Sequence, residues 1–287
     1  MLLVAGSILV TISVFGGFVA LGGHLMVLWQ PFEFVIIAGS ALGAYIIANP
    51  KTVLMGTMPA VLKLAKGSRY NKESYLELLS MLYTVFRQAK SKGMLTLESH
   101  VENPDESELF MQFPGLHSDK HALMFLCDYL RMMVLGSENP YEMETLIDEE
   151  LETHHEERLQ LSNALRTVAD GLPALGIVAA VLGVIHTMGS ITEPPEILGK
   201  LIGGALVGTF LGILLSYGFV APMADSLKTV DDAEHKYLQC IKTGLLAHLQ
   251  GYAPAISVEF ARKALLSPVR PTFYEVEEAY QSMTSSR

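Results

Sequence analysis

The chain has 287 residues, half of them hydrophobic and only 17% charged, with a net charge of -10 and a mean hydropathy of +0.34. A balance so apolar, with the apolar residues gathered in runs, describes a membrane protein that carries a large water-facing part. The negative charge excludes nucleic acid as a partner, because its phosphates would be repelled.

Residues 1–49 contain no lysine or arginine and hold two apolar runs, roughly 2–22 and 34–49. Two more lie at roughly 172–191 and 201–221, each near the ~20 residues that cross a bilayer. The first run lacks the basic leader and small-residue cleavage site of a secretory signal, so it reads as a retained span. Lys51, Lys63, Lys66 and Arg69 follow the second run, Arg158 and Arg166 precede the third, and Lys228, Lys236 and Lys242 follow the fourth. The connector at 24–33 has no base, and that at 192–200 has only Lys200. By the positive-inside rule, 51–170 and 223–287 are expected in the cytoplasm, and four spans then put both termini on that side. The expected division is therefore spans one and two in 1–49, a cytoplasmic helical domain in 50–170, spans three and four in 171–222, and cytoplasmic C-terminal helices in 223–287.

The water-facing part reads as helix. Over 74–93, Tyr75, Leu78, Leu82, Val85 and Ala89 recur at helical spacing, while Glu77, Arg87 and Lys90 fall off that stripe. Asn103-Pro104 with Asp105 and Glu106, and Asn139-Pro140 with Glu142, both have the pattern of a helix start: an Asn cap, a first-turn proline, then acids at the positive end of the dipole. The helix from Pro140 is predicted to run through Ala169 towards the membrane. Pro254, Pro268 and Pro271 restrict the tail to short helices. No stretch alternates as strand, so the expected fold is all-α: a polytopic membrane protein with four transmembrane helices and a large helical cytoplasmic domain.

Few residues in this pattern carry chemistry. Cys127 and Cys240 are isolated and have no metal or redox spacing. Glu150 and His154 form an i, i+4 pair within the charged stretch 148–157, but charges on consecutive helix positions point all round, so the stretch reads as a solvated face. No catalytic set can be assembled, and no enzyme, cofactor or metal is expected. Inside the membrane, Gly204, Gly208, Gly212 and Ser216 place small residues four apart, a face that permits close backbone approach. The spans hold no lysine, arginine or aspartate, so an ion crossing here needs a charged group from another chain, and the small face is expected to meet that chain. Thr209 reads as a hydroxyl bonded back to its own helix. Pro173 and Pro222 read as helix stops or, alternatively, hinges. Glu33 and His186 fall near outer ends, where water can reach them.

Several motifs in order resemble one family: FGGF at 15–18, QPFEFVIIAGSALG at 30–43, KGMLTLESHVENPDES at 92–107 and LIDEELETH at 146–154. DGLPALGIVAAVLGVIHTMGS at 170–190, LVGTFLGILLSYGFVAPMA at 206–224 and LQGYAPAISVEFARKAL at 249–265 complete the set. Together they resemble the A subunit of bacterial flagellar stators, the MotA type, over nearly the whole chain. The resemblance implies an ion-driven rotary machine in the inner membrane, in which five A subunits surround two MotB-like B subunits whose single spans carry an essential aspartate. Each A subunit would also face lipid and, in the cytoplasm, the FliG-like rotor switch-complex protein. Alternately neutralising a charge buried in hydrocarbon would shift which rotational state is stable.

By the same resemblance, Pro173 and Pro222 match the prolines that couple ion flow to movement, and Thr209 matches the hydroxyl on the ion path, replacing its inert reading. Lys90 and Glu98 match positions that meet charges on the rotor, with lysine standing where the best-known proton-driven members have arginine and losing its bidentate fork. Glu150 matches another acidic position linked to torque or assembly. Sodium-driven relatives carry threonine seven residues after the first coupling proline. Here that position is Ala180, whose methyl cannot coordinate a hard cation, so proton coupling is expected. The alternatives are a related energiser of the ExbB/TolQ type, which usually has three spans, and a non-conducting membrane scaffold.

Overall fold

The computed structural model describes residues 2–64, 67 and 69–285, so Lys66 of the topology argument lies outside the described residues. It is 84% helical, with no strand among the described residues. Four helices are long and apolar enough to cross a membrane: Leu2–Ala20, Pro31–Ala48, Pro140–Met188 and Pro195–Leu249. The last two have 49 and 55 residues. At 1.5 Å per residue they measure roughly 75 and 80 Å, far more than a hydrocarbon core of about 30 Å. Only their apolar parts span. Beyond Asp225 the final helix carries Asp231, Asp232, Glu234, Lys236 and Lys242, a density of charge that hydrocarbon would not accept.

The chain divides into two compact units, 1–67 with 157–231 and 68–156 with 232–287. This differs from the division expected from hydropathy, and packing explains why. In the first unit Ala60 and Leu64, on helix Lys51–Leu64, share a cluster with Leu3, Leu161, Leu227 and Val230, so this helix packs with the first span and with the two long helices. In the second unit the C-terminal helices form no separate layer. Tyr237, Ile241, Leu245, Val258 and Val276 enter one core with Leu78, Leu82, Phe86, Leu126 and Ile147. Each such side chain contributes about 1.5–3 kcal/mol when fully buried.

Local signals set the helix ends. Helix Lys72–Lys92 starts at a capping box, in which Asn71 Oδ1 accepts from Ser74 N and Ser74 Oγ from Asn71 N, both at 2.9 Å. The expected stripe Tyr75, Leu78, Leu82, Val85 and Ala89 is buried on it. It ends at Gly93, whose φ of 90° suits glycine. Asn139 starts the 49-residue helix, its Oδ1 accepting from Tyr141 N at 3.1 Å. Pro104 starts only a single 3-10 turn, Pro104–Glu106, with no side-chain cap. A proline and two acids favour a helical turn there, but no apolar periodicity follows to extend it.

Candidate functional site

The third and fourth spans meet along a seam of small residues. A Cβ on Gly212 would stand 2.6 Å from Leu172 O and 2.9 Å from Gly176 Cα. One on Gly208 would stand 3.0 Å from Ala179 Cβ and 3.1 Å from Ala180 N, and one on Gly176 only 2.7 Å from Gly208 O. Further along, a Cβ on Gly183 would meet Ala205 Cβ at 2.8 Å, and one on Gly204 would meet Gln30 Nε2 at 3.0 Å. The face of Gly204, Gly208 and Gly212 is therefore occupied within the chain, mainly by the third span, and not by another chain as the sequence suggested. The reason is a complementary stripe, Gly176, Ala179 and Gly183, on the facing helix. Ile37 and Ala41 of the second span join Leu172 and Ala179 in the same cluster.

Neither proline stops its helix, since both lie inside continuous helical stretches. Pro173 has no N–H to give the carbonyl four residues earlier, which is that of Ala169. That carbonyl accepts instead from Ser216 Oγ of the fourth span, at 2.6 Å and fully buried. Ser216 is thus more than the last small residue of the stripe. It satisfies the group that Pro173 leaves orphaned. Pro222 follows a π-helical stretch, Leu214–Val220, at whose end Ala221 N–H reaches back to Ser216 O. The widened turn supplies the room that a proline ring needs against the preceding carbonyls. Pro173 therefore sits in continuous α-helix with its orphaned carbonyl bonded by Ser216, and Pro222 sits at the exit of a π-helical stretch.

Thr209 is half-buried on the fourth span beside Gly208. Among the described residues its hydroxyl makes no hydrogen bond, whereas Thr187 Oγ1 donates to Gly183 O at 2.8 Å in the usual back-bonded way. The inert geometry is absent at the one threonine of the fourth span. On the facing helix Ala180 N is among the atoms that approach Gly208, the chain neighbour of Thr209. Glu33 departs from the exposure expected of it: it is half-buried, and Oε2 is sealed from solvent with no hydrogen-bond partner. Its Oε1 lies 3.7 Å from where a Gly183 Cβ would be. His186 is exposed as expected.

The other site residues belong to the second unit. Lys90 is exposed on the last turn of helix Lys72–Lys92, its Nζ donating to Gly251 O at 3.3 Å. Glu98 is exposed at the first turn of helix Glu98–Glu102. Glu150 accepts a short hydrogen bond from Tyr129 Oη. His154 does not converge with Glu150; its Nε2 lies 3.9 Å from Glu234 Oε1, and its ring stacks on that of His121 at 4.3 Å. The stretch is therefore not solvated all round. Sequence reasoning missed the enclosure of Glu33, the part played by Gly176 and the role of Ser216. Only the last left a signal, a hydroxyl that could serve the carbonyl four residues before a proline.

Residues 4–93 match the family model described as motility protein A N-terminal, and residues 118–239 match that of the MotA/TolQ/ExbB proton channel family. A motility protein A of Salmonella typhimurium is 48% identical over 278 residues, covering 97% of this chain and 94% of that one. One from Escherichia coli is 47% identical with the same coverage. Chemotaxis protein LafT of Vibrio parahaemolyticus is 34% identical over 95% of this chain and 96% of its own. Among solved structures, C. jejuni MotAB aligns with a TM-score of 0.77 over 92% of this chain and 95% of that one, at 21% identity, a likeness of fold.

Proposed function

The chain belongs to the motility protein A family, ion-conducting stator subunits of the bacterial flagellar motor and not enzymes, and from that membership we infer that it couples proton flow to torque through the seam of its third and fourth spans. The observation that carries this reading is the hydroxyl of Thr209, unbonded among the described residues, whose neighbour Gly208 packs against the backbone of Ala180. A bare hydroxyl can relay a proton to a carboxylate placed opposite it, and a methyl offers no oxygen to a sodium ion. The carboxylate comes from a MotB-like B subunit, since the third and fourth spans carry none. Five copies of this chain surround two B subunits in the inner membrane, with both termini and the second unit in the cytoplasm. The B helices face Thr209 and Ala180, while the glycines hold the two spans together.

Protonation of the B aspartate removes a charge from hydrocarbon and changes which neighbouring A subunit it favours. Pro173 and Pro222 let the two long helices respond, and Lys90, Glu98 and Glu150 pass the movement to a FliG-like rotor protein. The N-terminal match and the four spans set the chain apart from the ExbB/TolQ energisers, with which it shares only the second family model. The test is swimming in sodium-free medium and under a proton uncoupler. Full speed without sodium and arrest by the uncoupler are expected; motility that collapses without sodium overturns proton coupling. Thr209→Ala, with membrane levels and B-subunit co-purification retained, is expected to abolish most motility.

A further inference from the structure

We propose that Glu33 is the proton-accepting residue at the outer end of the conduction path, taking protons from the outer water and passing them inward along the seam of the third and fourth spans. The proposal rests on the proton-coupled reading above. Glu33 is the one acid in the segments 2–20, 31–48, 172–191 and 201–221. It is half-buried, its Oε2 is enclosed, and its carboxyl group makes no hydrogen bond or ion pair among the described residues.

Its place fits the task. Gly183 and Ala205 meet where the two spans touch: a Cβ on Gly183 would stand 2.8 Å from Ala205 Cβ and 3.7 Å from Glu33 Oε1. The carboxyl group therefore lies against the seam. Gly183 follows Ala180 by three residues on the third span, and Ala205 precedes Thr209 by four on the fourth, in each case about one helical turn outward. Gln30, at the start of the same helix as Glu33, lies over Gly204, its Nε2 3.0 Å from where a Cβ would be. The entry of the second span thus covers the outer end of the seam, and Glu33 is the titratable group it places there.

The surroundings favour a proton over a bound cation. A lone enclosed carboxylate is costly as an anion and is relieved by a positive partner or by protonation. Residues 1–49 and 172–191 contain no lysine or arginine. The nearest ionisable groups along the packed helices and the outer connector are His24, His186 and Lys200, all exposed and none paired with Glu33. A proton from outer water binds a carboxylate oxygen of Glu33 and later leaves inward for the B-subunit carboxylate, by way of water or the Thr209 hydroxyl. Glu33 returns to its carboxylate form, and nothing else is consumed.

The experiment uses the full chain co-expressed with its B partner, with swimming speed read as outer pH is varied at constant proton-motive force. Glu33→Gln keeps the side chain's shape and cannot titrate. With membrane levels and co-purification retained, it is expected to slow swimming at least about threefold near pH 8 and to recover most of the loss near pH 6, where bulk protons are about a hundredfold more plentiful. Glu33→Asp keeps a titrating group and should follow the parental pH profile, so it reports on the role even if Glu33→Gln fails to assemble. Glu196→Gln removes an exposed acid from the first turn of helix Pro195–Ile213 and should leave speed unchanged. Parental speed in Glu33→Gln at every pH, the same fractional loss at every pH, or an equal loss in Glu196→Gln overturns the proposal. Loss of B co-purification in Glu33→Gln but not in Glu33→Asp also overturns it, assigning the carboxylate to a cation of the B subunit. A parent that needs sodium overturns the proton-coupled reading itself, whereas a normal Glu33→Gln in a sodium-independent parent overturns the role of Glu33 alone.

Discussion

At the residue scale, the bond from Ser216 to the carbonyl of Ala169 links two features that are 47 positions apart in sequence. A proline inside a membrane helix is tolerable only when the carbonyl it abandons finds another donor, because lipid offers none. Ser216→Ala removes that donor and leaves a buried acceptor, a loss of about 1–3 kcal/mol. The double-mutant cycle makes the mechanism testable. Pro173→Ala restores the backbone N–H to Ala169 O, so Ser216→Ala should cost markedly less in that background. Melting temperatures of the four proteins in detergent measure the coupling, and additive effects would show that Ser216 and Pro173 do not share the carbonyl. Glu33 offers the contrasting lesson: as a lone acid near a span end it looked solvent-exposed, yet its Oε2 is enclosed without a hydrogen-bond partner.

At the element scale, glycines on one helix serve different ends. Gly203 has open space where its side chain would be, whereas a Cβ on Gly212 would press on the backbone of the third span. Gly203→Ala is expected to be neutral or to stabilise by up to about 1 kcal/mol through helix propensity. Gly212→Ala is expected to destabilise by about 1–3 kcal/mol, since backbone cannot yield as a side-chain tip does. Equal melting temperatures for the two variants would show that the seam is looser than its geometry. Helices and spans were legible in the sequence because hydropathy and the stripe from Tyr75 to Ala89 each report on one element alone. What Gly204, Gly208 and Gly212 pack against was not, because it depends on a second stripe at Gly176, Ala179 and Gly183 whose pairing no single helix reveals. The same limit hid the convergence of His121, His154 and Glu234, whereas Pro173, Thr209 and Pro222 could be singled out from local motifs.

At the scale of the whole molecule, the two units respond to different variables. The first pairs apolar helices through glycines and one buried hydroxyl, and the second is a conventional apolar core that contains a titratable ring. His248 stacks on Phe86 at 4.5 Å and 14°, its Nδ1 buried without a hydrogen-bond partner. Burial first, and then the charge of Lys90, push its pKa down to about 4. The unfolded chain takes up this proton near pH 6.5 while the folded unit refuses it until about pH 4. Stability from this group is therefore complete above about pH 6.5 and falls as the pH drops towards 4, then levels off. The slope is at most about 1.4 kcal/mol per pH unit, reduced by the solvent that still reaches the ring. His235, lowered chiefly by burial, adds a slope of the same sign. The difference between proteins isolates His248: His248→Phe keeps the stack and lacks the proton, so its unfolding midpoint should decline less between pH 6.5 and 4 than that of the parent. Parallel curves would mean that the ring of His248 is protonated in the folded state, and that Lys90 sits beside a cation and not a neutral surface.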